Sequence, residues 1–139
     1  MPTEEFPGRY ESLSPIRDFV YKQALEAGLD ESQAYAVQSA VDEACSNIID
    51  HAYGGEDRGT IFVTCTDGKK GLTITIRDFG KPFDPTKVHK PRPIKNLKDI
   101  QTGGLGLHFI RNFMDEVHFD FSIDQGNLLT LTKYRGEST

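Results

Sequence analysis

Three stretches of the chain carry residue types and spacings that could do chemistry. The first runs from Val41 to Gly55, V-D-E-A-C-S-N-I-I-D-H-A-Y-G-G. On an α-helix, where each residue turns by roughly 100°, Glu43, Asn47 and Asp50 fall within about 60° of one another. They form a narrow polar stripe of two carboxylates and a carboxamide. No Lys or Arg lies between Val41 and Tyr53, whereas a solvated helix face usually mixes signs for i,i+4 support. A stripe of one sign with an amide suits a hard cation and a proton acceptor. The second stretch is Asp78-Phe79-Gly80, in which a carboxylate could accept a hydrogen bond from the exocyclic amino group of adenine and would repel the carbonyl that guanine offers there. The third is Gly103-Gly104-Leu105-Gly106-Leu107. A glycine turn feeding a helix leaves unpaired N–H groups and a positive dipole end, which suits an anion and above all a phosphate.

Each stretch also has a plain reading. Val37, Val41, Ala44, Cys45, Ile48 and Ala52 lie opposite the polar stripe, as on any amphipathic helix with one buried face. Asp78 could be only a turn former, and a glycine-rich helix start only a tight turn. Other assignments are excluded by their own criteria. No G-x-x-x-x-G-K-[ST] is present, so there is no P-loop; D-F-G comes without the H-R-D and V-A-I-K elements of a eukaryotic protein kinase. The alternating strands do not suit the doubly covered parallel sheet of a dinucleotide fold.

The elements that must position these residues follow in order. Phe6 to Tyr10 reads as a short edge strand. Ser12 or Ser14 caps a helix that takes Pro15 in its first turn and runs to Ala27, with Gly28 as its stop. Asp30 with Gln33 is a capping-box signature that opens the long helix ending at Gly54-Gly55. Thr60 to Thr66 is a β-branched run, Gly68 to Gly71 a hairpin connection, and L-T-I-T-I-R-D a strictly alternating half-buried strand. Residues 81–102 hold four prolines and no sustained periodicity, which marks a functional lid or a disordered segment. A helix with Leu107, Ile110, Phe113 and Met114 as its apolar face follows. Then come V-H-F-D-F-S-I, the turn Asp124-Gln125-Gly126-Asn127 and L-L-T-L-T-K-Y. Strands joined by short turns pair antiparallel and the helices need a face to cover. The expected fold class is therefore α+β, a two-layer sandwich with a mainly antiparallel sheet covered on one face by three helices.

Composition sets the outer bounds. The 139 residues suggest one domain, 1–139, with a lid at about 80–102. No run approaches the roughly 18 apolar residues of a membrane span, no secretory signal is visible, and two cysteines, Cys45 and Cys65, suit buried thiols in a reducing cytoplasm. A net charge of −5 argues against direct nucleic-acid binding. His89, His108 and His118 read as surface residues. His51 neighbours the stripe, and no second His or Cys stands at metal-ligand spacing from it.

In combination, E-x-x-x-N-x-x-D-H on a helix, D-x-G after a strand and G-x-G opening a later helix resemble the boxes of the GHKL (histidine kinase-like) ATP-binding superfamily over nearly the whole chain. E-A-C-S-N-I-I-D-H-A-Y, F-M-D-E-V and G-N-L-L-T-L-T-K resemble the bacterial anti-sigma factor serine kinases within it. That resemblance implies an ATP- and Mg²⁺-dependent protein serine kinase. Glu43 would be the general base, Asn47 the Mg²⁺ ligand and Asp78 the adenine reader, with Gly80 giving the base room and Gly104 and Gly106 wrapping the phosphates. The implied nucleotide-binding set extends to Asp50, His51, Phe83, Gly103, Leu105, Leu107 and Thr130. The implied partners are a sigma factor, a STAS-type antagonist that accepts the phosphoryl group, and a second copy of the chain. One position departs: Thr102 stands where these kinases carry an arginine, so another cation such as Arg92, Lys95 or Lys98 would have to take its place. The alternative function is a nucleotide-gated binding module that transfers no phosphate. A sensor histidine kinase would share the boxes but needs a dimerising helical domain, and none fits here.

Overall fold

The computed structural model describes residues 2–82, 106–122 and 125–135. Five strands form one antiparallel sheet in the order β1-β2-β3-β5-β4. They are β1 (Thr3–Pro7), β2 (Thr60–Asp67), β3 (Gly71–Asp78), β4 (Glu116–Ser122) and β5 (Gly126–Tyr134). Three helices, α1 (Leu13–Glu26), α2 (Glu31–Asn47) and α3 (Gly106–Phe113), accompany them. The period of two along the strands decides which face is covered. Ile61, Val63 and Cys65 of β2, Leu72, Ile74 and Ile76 of β3, and Leu129 and Leu131 of β5 point to one side and are buried. Ile16, Val20 and Ala24 of α1, Val37, Val41, Ala44 and Cys45 of α2, and Ile110 of α3 complete that core. Burying each large aliphatic side chain contributes about 1.5–3 kcal/mol. The expected two-layer α+β sandwich is the one observed.

The helix boundaries follow local chemistry. Asp30 accepts from the Gln33 N–H at 2.7 Å while the Gln33 side chain accepts from the Asp30 N–H at 2.8 Å, so the capping box that opens α2 is complete. Gly28, at φ +92°, ends α1 in a conformation that a side chain would strain. Two expectations shift. The first strand lies at Thr3–Pro7 instead of 6–10: after Gly8, still bonded to Gly59 at 2.8 Å, the Arg9 N–H turns back to the Pro7 carbonyl at 2.8 Å and Tyr10–Ser12 winds into a 3₁₀ turn. Ser12 precedes α1 without capping it; its hydroxyl donates to the Pro7 carbonyl at 2.7 Å. No helix among the described residues is long and apolar enough to cross a membrane. Most of the expected lid, and His89 and Thr102, lie outside the described residues, as does the side chain of His108.

Candidate functional site

The long helix does not keep one pitch to its end. After Asn47 it widens into a π-helical turn, Ile48–Ala52, closed by the Tyr53 N–H donating to the Ile48 carbonyl at 2.8 Å. Such i→i+5 turns carry more residues per revolution, so the positions after Asn47 lag behind the regular helical wheel. The consequence is a split stripe. Asn47 is only 7% exposed, whereas Asp50 and His51 are exposed. Asp50 accepts the hydroxyl of Tyr10 from the 3₁₀ turn.

Asp78, the last residue of β3, is 3% exposed and faces Asn127 of β5 in register. Its Oδ1 accepts two hydrogen bonds, from the Gly80 N–H at 2.9 Å and from Asn127 Nδ2 at 2.8 Å. Asn127 Nδ2 also donates to the Gly80 carbonyl at 3.1 Å, which uses both amide protons. Burial raises the Asp78 pKa, and the two donated hydrogen bonds oppose that rise. Asn47, Asp78 and Asn127 line one cavity, with Ala44, Ile48, Ile110, Phe119, Phe121 and Leu129 as its apolar walls. Its volume is about 30 Å³, room for roughly two waters. Among the described residues no hydrogen bond engages the side chain of Asn47, which lines the cavity.

Gly80 has a role in the protein as well as any role toward a base. A Cβ there would lie 2.5 Å from the Ala52 carbonyl oxygen, which itself accepts from the Lys81 N–H at 2.7 Å. Only a bare Cα lets the strand end meet the π-turn so closely.

Glu43, one helical turn before Asn47, opens onto a different space. It lines a surface groove with Arg17, Tyr35, Gln38, Ser39, Asp42 and Phe113, where Arg17 and Asp42 form an ion pair of 2.7 Å between α1 and α2. Burial raises the Glu43 pKa, and the neighbouring charges of Asp42 and Asp50 raise it further. A carboxylate with an elevated pKa and no hydrogen-bond donor among the described residues suits proton acceptance. Glu43 and Asn47, one helical turn apart on the same side of α2, thus line neighbouring spaces.

The remaining predicted positions fall as follows. Gly106 and Leu107 form the start of α3, while Phe83, Gly103, Gly104 and Leu105 lie outside the described residues. Thr130 is a correction. It pairs with Thr75 and His118 in the row of β5 opposite to Leu129 and Leu131, and it is not among the residues that line the cavity with Asp78. Asn127 holds the inward position instead. Its signal was present in the alternation of β5: Asn127, Leu129 and Leu131 share a face, and a polar residue heading an apolar row marks a site more than a threonine in the polar row does. Among the described residues no three His, Cys, Asp or Glu side chains gather at metal-binding distance. A lone Asn47 oxygen fits Mg²⁺ better than a softer ion, since Mg²⁺ keeps several waters and takes phosphate oxygens as ligands.

Comparison with known proteins bears on the family and the fold. The chain is 31% identical over 132 residues to the serine-protein kinase RsbW of Halalkalibacterium halodurans, covering 92% of this chain and 79% of that protein. It is 29% identical over 129 residues to the anti-sigma F factor of Heyndrickxia coagulans, covering 91% and 85%. Its fold matches the crystal structure of the RsbU and RsbW domains of a Mycobacterium tuberculosis protein with a TM-score of 0.62 and 14% identity, over 96% of this chain and 32% of that one. The family model for the histidine kinase-like ATPase domain matches residues 6–133, and the chain belongs to that family.

Proposed function

We propose that the protein is an ATP- and Mg²⁺-dependent protein serine kinase that also acts as an anti-sigma factor, holding a sigma factor and phosphorylating a STAS-type antagonist. The observation that carries this reading is the meeting of Asn47 and Asp78 in one cavity with Glu43 on the adjoining helix turn. Similarity to RsbW and to an anti-sigma F factor over about nine-tenths of the chain supports it. Asp78 holds the adenine amino group, its carboxylate aimed by Gly80 and Asn127. Asn47 Oδ1 would hold Mg²⁺, which supplies charge neutralisation at the nucleotide phosphates. Glu43 accepts the proton of the attacking serine hydroxyl, and its raised pKa makes it a stronger acceptor than an ordinary glutamate. The N-terminus of α3, at Gly106, offers backbone N–H groups to the phosphates. Arg92, Lys95 or Lys98 takes the place of the missing arginine at Thr102. The protein works in the bacterial cytoplasm, as a homodimer.

The test is incubation with γ-labelled ATP, Mg²⁺ and a STAS-domain antagonist. Label on the antagonist that disappears with Glu43→Gln is the expected result. ATP binding without any transfer would instead identify a nucleotide-gated binding module.

A further inference from the structure

The candidate site is built from two elements that share no covalent constraint nearby, the end of α2 and the end of β3. Their relative position must be fixed by contacts between the π-turn and the Asp78-Phe79-Gly80 segment. Two of these are backbone contacts at Ala52. The third is a side chain: the Tyr53 hydroxyl donates to the Thr60 carbonyl at 2.6 Å and accepts the Phe79 N–H at 3.0 Å. Strand β3 ends at Asp78, so the Phe79 N–H lies beyond the ladder that pairs the preceding residues. Tyr53 supplies its partner. The ring is held in a slot with glycine on two sides: a Cβ at Gly59 would overlap it, and one at Gly8 would lie 3.3 Å from its Cδ2. A phenol so seated has little freedom, and its oxygen fixes the peptide that immediately follows the carboxylate.

We infer that Tyr53 is a positioning residue for base recognition, its hydroxyl registering Asp78 against the metal-side helix turn that carries Asn47. The inference rests on the reading of this cavity as an adenine nucleotide site. Tyr53 itself touches no ligand. It acts by keeping the Asp78 peptide from drifting, so its loss weakens recognition of the base and leaves the phosphate end untouched.

The variant Tyr53→Phe removes one oxygen and keeps the ring in its slot. Calorimetric titration with MgADP and MgIDP, at a temperature where both proteins are folded, should show ADP affinity falling about five- to tenfold, the effect of one neutral hydrogen bond. The preference for ADP over IDP, which differ at the 6-amino group, should fall by a similar factor. A lower melting temperature with unchanged ADP affinity and unchanged preference would make Tyr53 merely structural and overturn the inference. A second measurement uses the unaltered protein. Because coupling between sites is reciprocal, saturating ADP should slow hydrogen exchange at the Phe79 amide, and unchanged exchange there would overturn the inference while leaving the nucleotide site in place. Failure of the unaltered protein to bind ADP at all would overturn both.

Discussion

Asn127 and Asp78 face each other across paired strands, with the carboxamide nitrogen of one 2.8 Å from the carboxylate Oδ1 of the other. Both are almost fully buried, at 4% and 3% exposure. A buried carboxylate is tolerated only where donors meet it, and here the last strand supplies one of the two. Replacing Asn127 by Ala leaves the Gly80 carbonyl and part of the Asp78 carboxylate without a partner. The expected cost is about 1–3 kcal/mol of stability, read from urea unfolding, together with roughly tenfold weaker ADP binding. Unchanged values for both would show that Asp78 needs no help from β5.

Glu43 separates function from stability. Its pKa is raised in the folded protein, first by burial and then by Asp42 and Asp50. Folding therefore favours the protonated form, and the charged form weighs against stability once the pH exceeds the raised value. Below the ordinary glutamate range that penalty is absent. Glu43→Gln should accordingly melt higher than the unaltered protein at pH 7 and show no such gain at pH 4, while phosphoryl transfer falls by at least a hundredfold. The pH profile of transfer should lose its acid limb at a pH above the usual glutamate range. An acid limb at the ordinary value would place Glu43 in solvent.

Arg135 is a structural clasp with no part in the chemistry. Its guanidinium donates to the Ala27 carbonyl at 2.9 Å, to the Gly68 carbonyl at 2.8 Å and to the Lys69 carbonyl at 2.9 Å, and it also pairs with Asp67. It thereby ties the end of α1 to the β2–β3 turn. Lysine has one charged point in place of a planar fork. Both Arg135→Ala and Arg135→Lys should lower stability, by about 2 kcal/mol for Ala, with ADP affinity in the folded protein unchanged. A loss of affinity comparable to that of Asp78 variants would refute a purely structural role.

Much of this was legible in the sequence because it is local. The Asp30–Gln33 capping box, the Gly28 stop and the alternation of Leu72, Ile74 and Ile76 all appear where spacing puts them. The β2–β3 and β4–β5 pairings followed from short turns, whereas β1–β2 and β3–β5 join strands distant in the chain. What could not be read depends on a change of helical pitch or on partners far along the chain. A regular wheel keeps Asp50 beside Asn47, and the π-turn at Ile48–Ala52 parts them. The groove at Glu43 needs Arg17 from another helix and Phe113 from a third. Thr130 failed for a reason the sequence did contain, since β5 alternates and Asn127 lies on the inward count.

If the ends of α2 and β3 hold one adenine nucleotide between them, as proposed, titration calorimetry of the folded protein with MgADP gives saturable heat with a dissociation constant below the millimolar range, weakened at least tenfold by Asp78→Asn, whose amide would present a donor where the base amino group needs an acceptor. No measurable heat at millimolar MgADP, or equal affinity in the Asp78→Asn protein, would contradict it.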